Sequence, residues 1–169
     1  MKKALLVLIA AFALSIGAYA QRQSACYIGA GIATNFRSAA EGKTGPALAA
    51  GFRNYNRDVF VSIAYGAELF GYYIPSQTQS AIGIFANPEI GVAIGPKIFK
   101  IYPHTGFMLG YDSATFNADG GKKSFGWGGK SGLAFDFGRF VTIDFSTYIP
   151  RYNFDEALYA ASLIIRLGR

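Results

Sequence analysis

Large apolar side chains recur at every second position through most of the chain. Val59, Val61, Ile63, Tyr65, Ala67 and Leu69 form one row, with Phe60, Ser62, Ala64, Gly66 and Glu68 between them. The same alternation runs through Ile82–Ile94, Phe99–Tyr111, Phe125–Phe137, Val141–Ile149 and Tyr159–Leu167. Two weaker segments come first, Cys26–Thr34 and Ala47–Asn54, where Ile28, Ala30, Ile32 and Leu48, Ala50, Phe52 make the rows. Successive side chains leave a strand on opposite sides, so a period of two marks a strand with two unlike faces. The pattern predicts eight strands, many near the ~9–11 residues with which a tilted strand crosses a bilayer.

One face of these strands is apolar and often large. The other is Gly, small or polar, and it carries Arg53, Glu68, Glu89, Lys100, His104, Lys130, Asp136, Asp144 and Arg166. A soluble barrel turns its bulky face inward. A narrow eight-stranded barrel has little room inside, so glycines alternating with a few paired charges suit its lumen. The apolar rows then suit lipid. The predicted fold is all-β, an eight-stranded antiparallel up-and-down transmembrane β-barrel. The inverse arrangement would be a secreted or periplasmic lipocalin-like barrel binding an apolar ligand.

Connections alternate in length. The long ones are Asn35–Gly45, Gly71–Ser80, Asp112–Ser124 and Pro150–Ala157, and the short ones centre on Asn54–Asp58, Gly95–Lys97 and Gly138–Arg139. Outer-membrane barrels have short periplasmic turns and longer extracellular loops. Phe52, Phe99 and Phe137 fall near the turn side, and Tyr73, Tyr111, Trp127 and Tyr159 near the loop side, as two interfacial girdles would. Pro88 and Pro103 fall within predicted strands. Proline has no ladder donor, so a bulge or a lapse in pairing is expected there.

Composition narrows the class. The chain of 169 residues is 51% hydrophobic and 15% charged, against ~25% charged in ordinary soluble domains. So apolar a chain can bury surface, which excludes disorder. After residue 20 no apolar run reaches the ~20 residues of a membrane helix. Residues 1–20 have the form of a secretory signal peptide. Lys2 and Lys3 precede the apolar stretch Ala4–Leu14, and Ala18-Tyr19-Ala20 fits the cleavage pattern. Residues 21–169 are then the barrel domain. Gln23 stands where a lipid-attachment signal needs Leu, so Cys26 reads as a small side chain at a strand start.

Motifs for chemistry are sparse. Gly42-Lys43-Thr44 looks like the tail of a phosphate-binding loop, but Arg37 stands where that motif needs glycine. Gly29-Ala30-Gly31 has Thr34 in place of the third glycine of a dinucleotide fingerprint. Gly120-Gly121-Lys122-Lys123 reads as a solvated loop tip. Basic residues are scattered, and nucleic-acid binding is not expected. One cysteine and one histidine leave little for a metal. Glu89 and His104 could meet across a hairpin, yet both point to the lumen. No catalytic, cofactor or metal site is expected, and the protein is expected to be non-enzymatic. Instead, four cations (Arg53, Lys100, Lys130, Arg166) face four carboxylates (Glu68, Glu89, Asp136, Asp144). An unpaired charge in so tight a space costs several kcal/mol, so an interior network that plugs the barrel is expected.

The stretch Tyr102-Pro103-His104-Thr105-Gly106-Phe107-Met108-Leu109-Gly110-Tyr111 resembles the aromatic-Pro-x-x-Gly-x-x-x-Gly-aromatic strand of small OmpA/OmpX-like outer-membrane β-barrels, the "porin family" barrels of Gram-negative bacteria. The resemblance implies a place in the bacterial outer membrane. It also implies contact with outer-membrane lipid and passage through periplasmic chaperones and the barrel-insertion machinery. Barrels of this group usually end on an aromatic residue, for which Leu167 stands here. The expected role is in envelope structure or surface interaction through four extracellular loops, with a narrow pore for ions or small solutes as the first alternative, the apolar-ligand barrel as the second and a lipid-active membrane enzyme as the last.

Overall fold

The structure, a computed structural model, describes residues 25–35, 43–75, 80–112, 124–154 and 157–167. The segment read as a signal peptide, the loop tip 120–123 and much of the long connections lie outside these residues. Eight strands follow in order: β1 (Ala25–Asn35), β2 (Lys43–Asn54), β3 (Val61–Ile74), β4 (Ala81–Ile94), β5 (Phe99–Asp112), β6 (Ser124–Phe137), β7 (Val141–Pro150) and β8 (Leu158–Leu167). Each pairs antiparallel with its neighbour, and β1 pairs with β8 to close the barrel. Closure removes sheet edges and lets the wall satisfy its own backbone groups, the condition for crossing lipid with strands. Among the described residues no helix is long and apolar enough to cross a membrane, which says nothing about strands.

Two strand ends lie more than two residues from the sequence reading. β2 begins at Lys43, inside the predicted loop, and β3 runs on to Ile74. Cross-strand pairing decides both. Thr44 to Pro46 pair with Ile32 to Thr34 of β1, and Gly71 to Ile74 pair with Ala81 to Ile84 of β4. Partners extend these segments beyond what their own residues favour.

The prolines break pairing along one seam only. Between β4 and β5 the ladder lapses at Asn87 and Pro88, and again at Val92 and Ala93, which lie opposite Pro103 and Tyr102. The register resumes unshifted after each gap, so there is no bulge. On their other sides both prolines stay paired, Pro88 with Ala67 and Pro103 with Leu133. Each missing N–H therefore faces the shared seam.

The wall has the two faces that the alternation predicts. Ile63, Leu48, Ile90, Phe145 and Leu163 are all exposed on the outside. The inside is fuller than glycines and charges. Phe70, Tyr72, Phe85, Met108 and Tyr148 pack together in its loop-side half, and Ile164 joins the same cluster from β8. Phe70 and Tyr148 stack with ring centroids 4.3 Å apart. These residues have the inward parity, and their bulk fills the space left by the inner glycines and alanines of β1, β2 and β6.

Candidate functional site

Below the aromatic layer the barrel is crossed by ion pairs, and each partner is placed by strand parity. Glu68 of β3 accepts from Lys130 Nζ at 2.8 Å, Tyr148 at 2.8 Å, Tyr27 at 3.2 Å and Asn87 at 3.3 Å. Glu89 of β4 accepts from Lys130 Nζ at 2.7 Å and Arg53 Nε at 3.0 Å. The second arm of Arg53 reaches Asp144 of β7 at 2.9 Å, and Ser146 Oγ donates to the same carboxylate. One connected set thus joins β2, β3, β4, β6 and β7 across the lumen. Its ion-paired side chains are no more than 3% exposed. Paired, hydrogen-bonded charges are the form in which ions persist away from water.

His104 of β5 lies between two of these carboxylates. Nδ1 is 3.5 Å from Glu89 and Nε2 is 3.3 Å from Asp144. Its ring stacks on Tyr102, and the Arg53 guanidinium also lies over Tyr102, 4.3 Å from the ring centroid.

A second cluster closes the turn side. Arg166 of β8 pairs with Asp136 of β6 at 2.5 Å, and Thr142 donates to Asp136 at 2.6 Å. Tyr55, from the β2–β3 turn, folds inward, donates to Asp136 and accepts from Arg166. Burial, and then the Asp136 carboxylate, push the Tyr55 hydroxyl up to about 12. Arg57 of the same turn donates to the carbonyls of Gly138 and Lys97, tying three turns together across the mouth. Outside this mouth Lys97 bonds Asp58 at 2.6 Å and holds its carboxyl below the usual range.

The nine lumen residues named from the sequence all lie inside the barrel, but eight of them divide between two clusters rather than forming one. The ninth, Lys100, is held by the backbone of the turn side. It donates to the carbonyls of Val59 at 2.6 Å and Gly95 at 2.8 Å. Of the aromatics named for the interfaces, Phe52, Tyr73, Trp127, Phe137 and Tyr159 are exposed on the outer wall, and Phe99 and Tyr111 are half-buried. The sequence reading missed Tyr27, Tyr55, Asn87 and Tyr148. Three of them have inward parity in their strands and could have been found so. Tyr55 sits in a turn, where parity gives no guide. Among the described residues no group of His, Cys, Asp and Glu is arranged to hold a metal ion.

No protein-family model and no curated protein matches the chain. Among solved structures it is similar to the outer membrane enzyme PagL. The two share 11% identity at a TM-score of 0.56, over 85% of this chain and 99% of that one. At this identity the likeness shows the fold: an eight-stranded barrel of the outer-membrane type. It supports that type and not the OmpA/OmpX-like group in particular. It also corrects the expectation of a non-enzymatic protein. An outer membrane enzyme has this architecture, so the fold is compatible with catalysis and gives no ground for excluding it.

Proposed function

We propose that the chain is an integral barrel of the bacterial outer membrane whose lumen is sealed, so that it acts at its loops and outer wall and not as a conduit. The observation that carries this reading is the Glu68–Lys130–Glu89–Arg53–Asp144 chain of contacts across the lumen. It sits between an aromatic layer and the mouth closed by Tyr55 and Arg57. A narrow pore would need a continuous wet path through the centre, where these groups meet. A barrel for an apolar ligand would need an apolar cavity inside, where the ions are. The apolar outer wall suits acyl chains. Binding specificity would reside in the four loop-side connections, because a filled barrel leaves no other freely varying surface.

The test is reconstitution into planar lipid bilayers after heat-dependent gel migration has verified folding. The expected result is a folded barrel with no stable single-channel current. A persistent open conductance overturns the sealed lumen. A protein that stays in solution without detergent and fails to enter vesicles overturns the membrane reading.

A further inference from the structure

The outer wall is hollowed in one place. An apolar recess of about 640 Å3 lies over β1, β2 and β3 and reaches β8 on one side and β4 on the other. Ala30, Ala50 and Gly71 form its low points, with Ile28, Leu48 and Leu69 standing between them. Cross-strand register makes this a checkerboard: Ile28 faces Ala50, Ala30 faces Leu48, Ala50 faces Leu69, and Leu48 faces Gly71.

The inner side of the same wall is built of small residues as well. There β1 and β2 offer Gly29, Gly31, Ala33, Ala47, Ala49 and Gly51, and the alanines pack into the aromatic core. A Cβ on Gly29 would stand 2.8 Å from Ile164 Cγ1, and one on Gly51 would stand 3.0 Å from the Tyr27 ring. Small residues thus stand on both faces of this part of the wall.

We propose that this recess binds one acyl chain of a membrane phospholipid, laid across the seam where β1 meets β8. The proposal rests on the membrane reading above. The lining residues have only aliphatic side chains or none, so nothing there could fix a headgroup. A docked peptide would bring amides that a fully paired wall cannot satisfy. A methylene chain brings none. Size agrees as well. Five strands at ~4.8 Å spacing give a track of roughly 19 Å. With strands tilted ~40° the track rises roughly 12 Å, close to one leaflet's half of the ~30 Å hydrocarbon core. A chain lying there touches Leu163 and Ile165 of β8 together with Ile28 and Ala30 of β1, and so covers the closing seam.

Native mass spectrometry tests this on protein folded into phosphatidylethanolamine–phosphatidylglycerol vesicles and moved into a non-ionic detergent. Wild type should keep one phospholipid. The double variant Ala50→Leu/Gly71→Leu fills the recess, and it should lose that adduct, because the added side chains take the space and the packing contacts of the acyl chain. A Cβ at Gly71 meets nothing nearer than Gly83 O at 3.7 Å, and heat-dependent migration verifies the fold. Ser131→Leu, on the opposite wall, should leave the adduct unchanged. Equal retention by wild type and the double variant, or no adduct on wild type, overturns the proposal and leaves the membrane reading standing. So does a dimer that the double variant abolishes, which would make a second copy the occupant. Wild type that never enters the vesicles overturns both readings.

Discussion

Glu89 and Lys130 meet at 2.7 Å in the middle of the barrel, although 41 residues separate them in the chain. Glu89 also holds Arg53, so it is the acid shared by two cations. Glu89→Gln leaves both cations short of charge among fully buried side chains. The expected loss is about 3–5 kcal/mol, the cost of breaking a buried pair from one side. Urea unfolding of the barrel in lipid reads it. A change within experimental scatter of wild type would mean that water reaches the network.

The outer wall gives a second test. Leu69 is exposed near the middle of β3. In lipid, Leu69→Arg should cost about 2–4 kcal/mol. On a soluble barrel the same exposed change would stay within about 0.5 kcal/mol. Unfolding in vesicles separates the two.

Glycines differ in how tightly the wall holds them. A Cβ at Gly31 would stand 2.0 Å from the carbonyl oxygen of Ala161 and 2.7 Å from Ser162 Cα. Gly31→Ala must therefore move the β1–β8 seam, and a loss of about 1–3 kcal/mol is expected, as for overpacking elsewhere. A Cβ at Gly71 meets only Gly83 O, at an ordinary contact distance of 3.7 Å, so Gly71→Ala should change stability by less than about 0.5 kcal/mol. Thermal shifts of the two variants check the contrast.

Tyr55 ties alkaline stability to the turn-side cluster. Its hydroxyl ordinarily ionises near 10.0 and is pushed up to about 12 in the fold. Its contribution is complete below pH 10, where both folded and unfolded chains hold the proton. Between pH 10 and 12 the unfolded chain releases the proton first, so stability falls as pH rises. Tyr55→Phe should be less stable at neutral pH, having lost its bonds to Asp136 and Arg166. It should also show a shallower decline through that window. Parallel denaturation curves for the two proteins between pH 9 and 12 would contradict this role.

The β4–β5 seam should open locally before the rest of the wall. Amides flanking Asn87–Pro88 and Val92–Ala93 lack the continuous ladder found elsewhere. They should exchange hydrogen faster than those of the unbroken β3–β4 and β5–β6 ladders. Uniform protection along all three seams would show that the gaps carry no weakness.

Strand count and the two faces were legible in the sequence because each is local. The alternation of connection lengths was legible only in part, since β3 runs on to Ile74 and leaves a β3–β4 connection, 75–80, no longer than the β2–β3 turn, 55–60. A side chain's parity within its strand needs no knowledge of the other strands. Even the lapse at Pro88 and Pro103 follows from the missing proline N–H alone. Which inward charge meets which was not legible. Arg53 reaches Glu89 and Asp144, and Tyr55 leaves its turn to join Asp136 and Arg166. Such partners depend on the register of all eight strands and on the width of the closed cylinder. The aromatic layer of Phe70, Phe85 and Tyr148 and the recess outside Gly29 and Ala49 arise from the same cause. Bulk on one wall and its absence on another become a shape only when the barrel closes.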